Sequence, residues 1–233
     1  MCIMLKVIRV FNKDSFNYKF FSESRQKMNL EELENIEEIK FPKLFREIYS
    51  TGAMKWMTSY KWLNENREEL LNNHAAFMYG IQSDCEPLLF EDIQDRKEFI
   101  DEMNEISGYK IKEEYNFIPF AMTGGGDIYC FVYKNKTDLT HIILYEHDTD
   151  DIINYGTNFE EFLMWQMAEA ITEWDQEIDH CILAHVKYLK DEYRILFENR
   201  DIEGILKTAK DIEAKMETLE EENLQSKFYN VID

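Results

Sequence analysis

Glycine is scarce in this chain, at 8 of 233 residues, and three of the eight stand together as Gly124–Gly126. Paired cysteines are missing as well. Cys2, Cys85, Cys130 and Cys181 are scattered and form no C-x-x-C spacing, which excludes a disulfide framework or zinc ribbon and fits reduced core thiols in a cytosolic protein. No apolar run is long enough for a membrane helix. The longest N-terminal candidate, Cys2–Phe11, is broken by Lys6 and Arg9; it lacks a signal-cleavage pattern and is expected to be a strand. Cations are absent over a long internal stretch, with no lysine or arginine from Thr137 to Val186. Nucleic acid is therefore not an expected partner, because phosphate binding rests on clustered basic side chains.

What is present is a full core and a large excess of negative charge. Hydrophobic residues make up 45% and aromatic residues 14%, enough to exclude global disorder, and the formal charge is −21. The cation-free stretch holds twelve carboxylates: Asp138, Glu146, Asp148, Asp150, Asp151, Glu160, Glu161, Glu169, Glu173, Asp175, Glu177 and Asp179. An ordinary solvated surface mixes signs. A long single-sign stretch carries self-repulsion and steers a basic partner toward it.

The residues on either side of the glycines, Tyr115–Met122 and Ile128–Tyr133, carry large apolar groups at both odd and even positions. This predicts two strands covered on both faces, near the middle of a sheet, joined by a reversal at Gly124, Gly125 and Gly126. A phosphate-cradling loop would run into a helix and carry a lysine. This one runs into Asp127 and a β-rich segment, so a turn is the better reading.

Upstream, Asn29–Gly52 predicts two helices separated at Phe41-Pro42. Leu30, Leu33, Ile36 and Ile39 form the apolar face of the first, while Glu31, Glu32, Glu34, Glu37 and Glu38 face water. Pro42 opens the second helix and Gly52 closes it. Met54–Asn73 predicts a short aromatic helix, Ala75–Ile81 and Pro87–Phe90 short strands, and Glu91–Ile106 a helix. Leu139–Tyr145 predicts a third central strand. Thr157 or Asn158 caps the next helix, with Glu160 or Glu161 placed for a capping box. Beyond Ala170, apolar residues spaced by three and four from Ile171 to Ile195 and from Ile202 to Asn223 predict a helical hairpin joined near 199–201. Its seams close within the chain or, more weakly, on a second copy, so a monomer or weak homodimer is expected.

Three groups of residues, in this order, resemble the SUKH superfamily, which includes a yeast cell-wall assembly regulator and bacterial immunity proteins. The first is Phe41-Pro42-Lys43-Leu44-Phe45-Arg46-Glu47-Ile48-Tyr49 with Gly52. The second is Phe117-Ile118-Pro119-Phe120-Ala121 with Gly125-Gly126-Asp127-Ile128-Tyr129. The third is Tyr145-Glu146-His147-Asp148 followed by Thr157–Leu163. The resemblance spans about 29–169 and implies an α+β domain, with a mainly antiparallel sheet flanked by helices and no catalytic centre. Residues 1–28 are expected to be an extension and 170–233 the hairpin. The resemblance also implies a cytoplasmic role in binding and neutralising a cognate toxin. A nuclease toxin has a basic cleft that an acidic surface can plug. Asp127, Glu146, Asp148, Asp150, Asp151 and Glu160 are the expected partner-binding residues, at strand ends and in the following loop.

The same residues admit other chemistries. His141, His147, Asp148, Asp150 and Asp151 could hold a metal ion, but an EF-hand's glycine and distal glutamate are missing. His180, Cys181 and His185 fall on a predicted helical seam, where packing explains them. No catalytic residue, cofactor or metal is expected. The alternatives are a regulatory scaffold of the yeast type and, behind it, a metal-dependent hydrolase. Trp56, Trp62, Trp165 and Trp174 are expected mainly in the core, with one or two available as interface anchors.

Overall fold

In the computed structural model, residues 28–50, 85–149, 151–171, 186–220 and 224–232 are described. The expected strand at 2–11, the aromatic helix at 54–73, the strand at 75–81, Gly52 and the His180/Cys181/His185 group lie outside them. The architecture is α+β. A five-stranded antiparallel sheet runs in the order β1 (Glu86–Pro87), β3 (Tyr115–Met122), β4 (Ile128–Lys134), β5 (Asp138–Tyr145) and β6 (Ile152–Asn154). A small second sheet pairs β2 (Tyr109–Ile111) with β7 (Tyr229–Val231). The helices are α1 (Leu30–Glu37), α2 (Lys43–Ser50), α3 (Phe90–Ile106), α4 (Phe159–Ala170), α5 (Asp191–Glu198), α6 (Ile202–Glu220) and α7 (Leu224–Phe228).

The central strands are apolar on both sides because both faces of the sheet are covered. On β4, Tyr129, Phe131 and Tyr133 enter a large core with α1, α2, α4 and α6, while Ile128, Cys130 and Val132 enter a smaller core with α3, α7 and β7. Alternation along a strand sends successive residues to opposite layers. The large core is aromatic: Phe120 stacks on Phe131 at 4.1 Å between centroids, and Phe45 meets Phe131 edge-on at 5.6 Å. Pro119 supplies no amide proton within a central strand, and the β3–β4 register shifts between Pro119 and Ala121, the kind of irregularity where proline is tolerated.

Helix α1 begins at Leu30, within the predicted Asn29–Gly52 segment, and Asn29 and Glu32 form a complete capping box that the apolar spacing did not reveal. Its charged face differs from the expectation. Glu34 and Glu37 are buried rather than facing water, and Ile36 is 58% exposed rather than in the apolar face. Carboxylates are buried here because cations and amides reach them. Glu34 meets Lys40 at 2.7 Å and Arg46 at 3.3 Å, and accepts the Phe41 backbone N–H at 3.0 Å. It thereby fixes the turn into α2. Glu37 meets Lys97 of α3, Gln94 and Asn116 of β3. Burial pushes its carboxyl up, but these partners outweigh that and hold it below the usual carboxylate range. Replacing Glu34 by alanine strands the buried Phe41 N–H, and we expect a loss of about 2–3 kcal/mol, against about 1 kcal/mol for Glu34→Gln, which keeps an acceptor. Equal losses in urea unfolding would contradict this anchoring role.

Several elements begin or end elsewhere than their sequence predicts. The expected strand Pro87–Phe90 is only Glu86–Pro87, and Phe90 instead opens α3, fully buried. At the other end of that helix Ile106 is 78% exposed, outside its apolar face. The predicted seam from Ile171 to Ile195 does not run through one helix: residues 187–189 form a turn and α5 begins at Asp191. Tyr188 therefore lies in the turn, and Ile195 is 49% exposed. In α6 the seam holds from Ile205 to Met216, with Ile205, Ala209, Ile212 and Met216 buried against α4 and β6. Its expected first member, Ile202, is 40% exposed, and Asn223 lies outside the described residues. The chain then returns through α7 to β7, placing Phe228 and Tyr229 on the second face of the sheet.

Candidate functional site

The strand register brings two acidic turns to one end of the sheet. Met122 pairs with Ile128, Ile128 with Tyr145, and Tyr145 with Ile152. The β3–β4 turn at 123–127 and the β5–β6 loop at 146–151 are therefore side by side. In the first turn Thr123 Oγ1 accepts the backbone N–H groups of Gly126 and Asp127. Gly126 sits at φ +109°, which disfavours a side chain, and a Cβ there would lie 3.4 Å from the His147 ring. The loop is closed by the Glu146 N–H to the Asp151 carbonyl at 3.0 Å and by Thr149 Oγ1 donating to Glu146 at 3.1 Å.

His147 lies between the two turns. Its Nδ1 is 2.8 Å from Asp127 Oδ1 and its Nε2 is 3.1 Å from Asp148 Oδ1. Burial raises the Asp127 carboxyl, but hydrogen bonds from the His147 ring, the His147 backbone N–H and Thr123 outweigh it and depress its pKa. The hydrogen bond to Asp127 is the largest influence on His147 and, with the Asp148 charge, lifts its pKa above the ordinary imidazole value against desolvation.

Of the expected partner-binding residues, Asp127, Glu146, Asp148 and Asp151 share this end. Asp150 lies outside the described residues, between Thr149 and Asp151. Glu160 is placed elsewhere. Phe159 packs on Phe131, whereas Gln166 donates to the Tyr129 hydroxyl at 3.4 Å, so α4 runs back toward the turns and Glu160 is at its far end. There the Asn158 side chain accepts the Glu160 N–H, but the other half of a capping box is not made. Glu161 instead pairs with Lys215 at 2.7 Å. At the near end, exposed Glu169 joins Glu146 among the charges that, after burial, raise the Tyr155 pKa.

Tyr155 and Trp165 meet edge-on at 5.2 Å, both half-buried. Trp165 is thus neither wholly core nor wholly exposed. Sequence reasoning did not find Tyr155 or His147 as elements of this surface; the Tyr145-Glu146-His147-Asp148 run after a paired strand was the available signal. Trp56, Trp62 and Trp174 lie outside the described residues.

His141 takes no part. It is buried on β5 against the Phe228 ring at 5.2 Å, with Lys227 Nζ 3.2 Å from its Nε2. Among the described residues, no group of three or more histidine, cysteine, aspartate or glutamate side chains is arranged to hold a metal ion, and no helix is long and apolar enough to cross a membrane.

A family model described as the SMI1 / KNR4 family (SUKH-1) matches residues 27–165, well over half of the chain. No curated protein and no solved structure matches.

Proposed function

The chain belongs to the SMI1 / KNR4 family (SUKH-1), and from that premise we propose that it is a non-enzymatic immunity protein that binds and neutralises a basic toxin domain in the cytoplasm. The family includes toxin-immunity proteins and yeast regulators and is generally non-enzymatic. The observation that carries the reading is the gathering of Asp127, Glu146, Asp148 and Asp151 at one end of the sheet, with Glu146 among the charges acting on Tyr155, which meets Trp165 edge-on. Asp150 is counted with this face on its sequence position alone, and Glu160, at the far end of α4, is not part of it. Aromatic side chains in such settings serve as anchors, while the surrounding charge sets encounter rate and partner choice. The partner is a protein with a cationic cleft, as a nuclease has. The free chain is a monomer or weak homodimer.

Co-expression tests this reading. The C-terminal domain of a large toxin encoded beside this chain's gene should arrest growth alone and fail to do so with the chain present. Trp165→Ala should weaken protection. Unabated growth arrest in the presence of well-folded chain would overturn the proposal.

A second reading, a regulatory scaffold of the yeast type, draws on Ile195, Ile202 and Leu206, which are 49%, 40% and 40% exposed on α5 and α6. Under it, Ile202→Glu with Leu206→Glu abolishes partner binding and leaves toxin protection intact.

A further inference from the structure

One side chain joins the two acidic turns. His147 belongs to the β5–β6 loop, and its ring reaches Asp127 of the β3–β4 turn at 2.8 Å and Asp148 of its own loop at 3.1 Å. A neutral imidazole has a single N–H, and an ionised carboxylate only accepts. Both contacts are therefore hydrogen bonds at once only when the ring carries two protons. The His147 backbone N–H also donates to Asp127 at 3.3 Å, and the ring covers Gly126, so the position is built from three directions.

We propose that His147 is a proton-operated latch: protonated, it ties the 146–151 loop to the 123–127 turn and offsets part of their charge; deprotonated, it frees Asp148 and leaves this end of the sheet more negative. The latch regulates the docking face of the proposed function and rests on that reading only for its consequence in binding. Among the described residues, the charged groups acting on the ring are Asp127 from the adjoining turn and Asp148 from its own loop. Glu146 and Asp151 close the same loop around it.

The raised pKa of His147 means that its contribution is complete below the ordinary imidazole value and is lost as pH rises through the higher folded value. The depressed pKa of Asp127 means that its contribution is complete above the ordinary carboxylate value and is lost as pH falls through the lower folded value. The latch is therefore closed while Asp127 is ionised and His147 protonated, and it opens as pH rises through the raised folded value of His147.

Nitrogen-detected NMR of the histidine rings in the full chain, titrated from acid to alkaline pH, tests the latch directly. We expect the His147 midpoint to lie above that of an exposed histidine. Asp127→Asn and Asp148→Asn should each lower it. Asp148 is 86% exposed, so its substitution leaves the fold intact if Asp127→Asn does not. A midpoint at the ordinary value, or one that Asp148→Asn does not move, overturns the latch.

Titration with a hexa-arginine peptide then tests the consequence. Affinity should rise roughly fivefold across the His147 midpoint, the worth of one unit charge at contact in water, and should be flat in His147→Gln. Binding without that step rejects the regulation and keeps the acidic face. A raised midpoint with no peptide binding at any pH keeps the latch and counts against the docking face.

Discussion

Phe228→Ala is expected to cost about 3–5 kcal/mol, a large part of the roughly 5–15 kcal/mol that separates a native domain from its unfolded chain. The ring is fully buried, and it meets Tyr115 at 5.0 Å, His141 at 5.2 Å and Phe117 at 5.5 Å, all near-perpendicular. Truncation leaves a hole bounded by the central sheet on one side and the β2–β7 pair on the other, and neither wall can collapse far. The urea midpoint should fall while the dependence of stability on urea stays the same. Deleting 221–233 should go further. It strips β7 from β2, removes the Ser226 and Lys227 carbonyls that accept from Lys112, and opens the second face of the sheet to water. Dye binding to exposed apolar surface should accompany loss of a sharp unfolding transition. A Phe228→Ala protein within about 0.5 kcal/mol of the parent would mean that the C-terminal segment does not close this face.

The family match ends at residue 165, yet Leu224, Phe228 and Tyr229 lie in the smaller core with Phe117, Ile128 and Val132. Val186, Tyr193, Phe197 and Ile205 likewise lie in the larger core with Phe45 and Phe131. The C-terminal part is built into the layers that support the acidic end. Removing everything after Ala170 would therefore remove core residues along with any docking surface and could not separate the two roles.

The central sheet was legible in the sequence because its strands are apolar on both faces and separated by a glycine turn, a local signal. The helical segment beginning at Asn29 was legible from its apolar spacing, but the capping box between Asn29 and Glu32 was not read from it. Glu34 and Glu37 were misplaced because helical periodicity sorts residues by polarity. It cannot know that Lys97 and Asn116, remote in the chain, will arrive beside Glu37. The β2–β7 pair was invisible because each strand has three residues and the two are remote in sequence, Tyr109–Ile111 against Tyr229–Val231. The break before α5 was missed because Tyr188 and Ile195 keep helical spacing across a turn.

The candidate site was half legible. The cation-free stretch showed that negative charge accumulates, but only the register Ile128–Tyr145 shows that Asp127 and Asp148 share one end. Glu160 follows the same loop in sequence and ends at the far end of α4, because the helix must reverse to lay Phe159 and Phe162 on the sheet. Proximity in sequence was a poor guide there; strand pairing was a good one.

The acidic end makes its strongest prediction about association rate. Asp148→Lys with Asp151→Lys changes the local charge by four units on two exposed side chains. Neither side chain is in the core, so unfolding midpoints should stay close to that of the parent. Fields of this kind speed capture of an oppositely charged partner by about 10- to 1,000-fold. We expect the double variant to bind a cationic toxin domain roughly ten- to a hundredfold more slowly at low salt, with a much smaller change in dissociation. The difference should shrink as the screening length falls from about 30 Å at 0.01 M salt to about 8 Å at 0.15 M. Glu113→Lys with Glu114→Lys is the matched control. It makes the same change in net charge, also on exposed residues, but at the opposite end of the sheet, where the Asn135 N–H donates to the Glu114 carbonyl. Stopped-flow association of the two variants separates a local field from a global one. Equal slowing of both would show that net charge alone governs encounter, and the acidic end would then have no claim to be the docking face. Slowing confined to the Asp148/Asp151 variant is the expected result, because field strength at a cleft-sized partner is set by the nearest carboxylates.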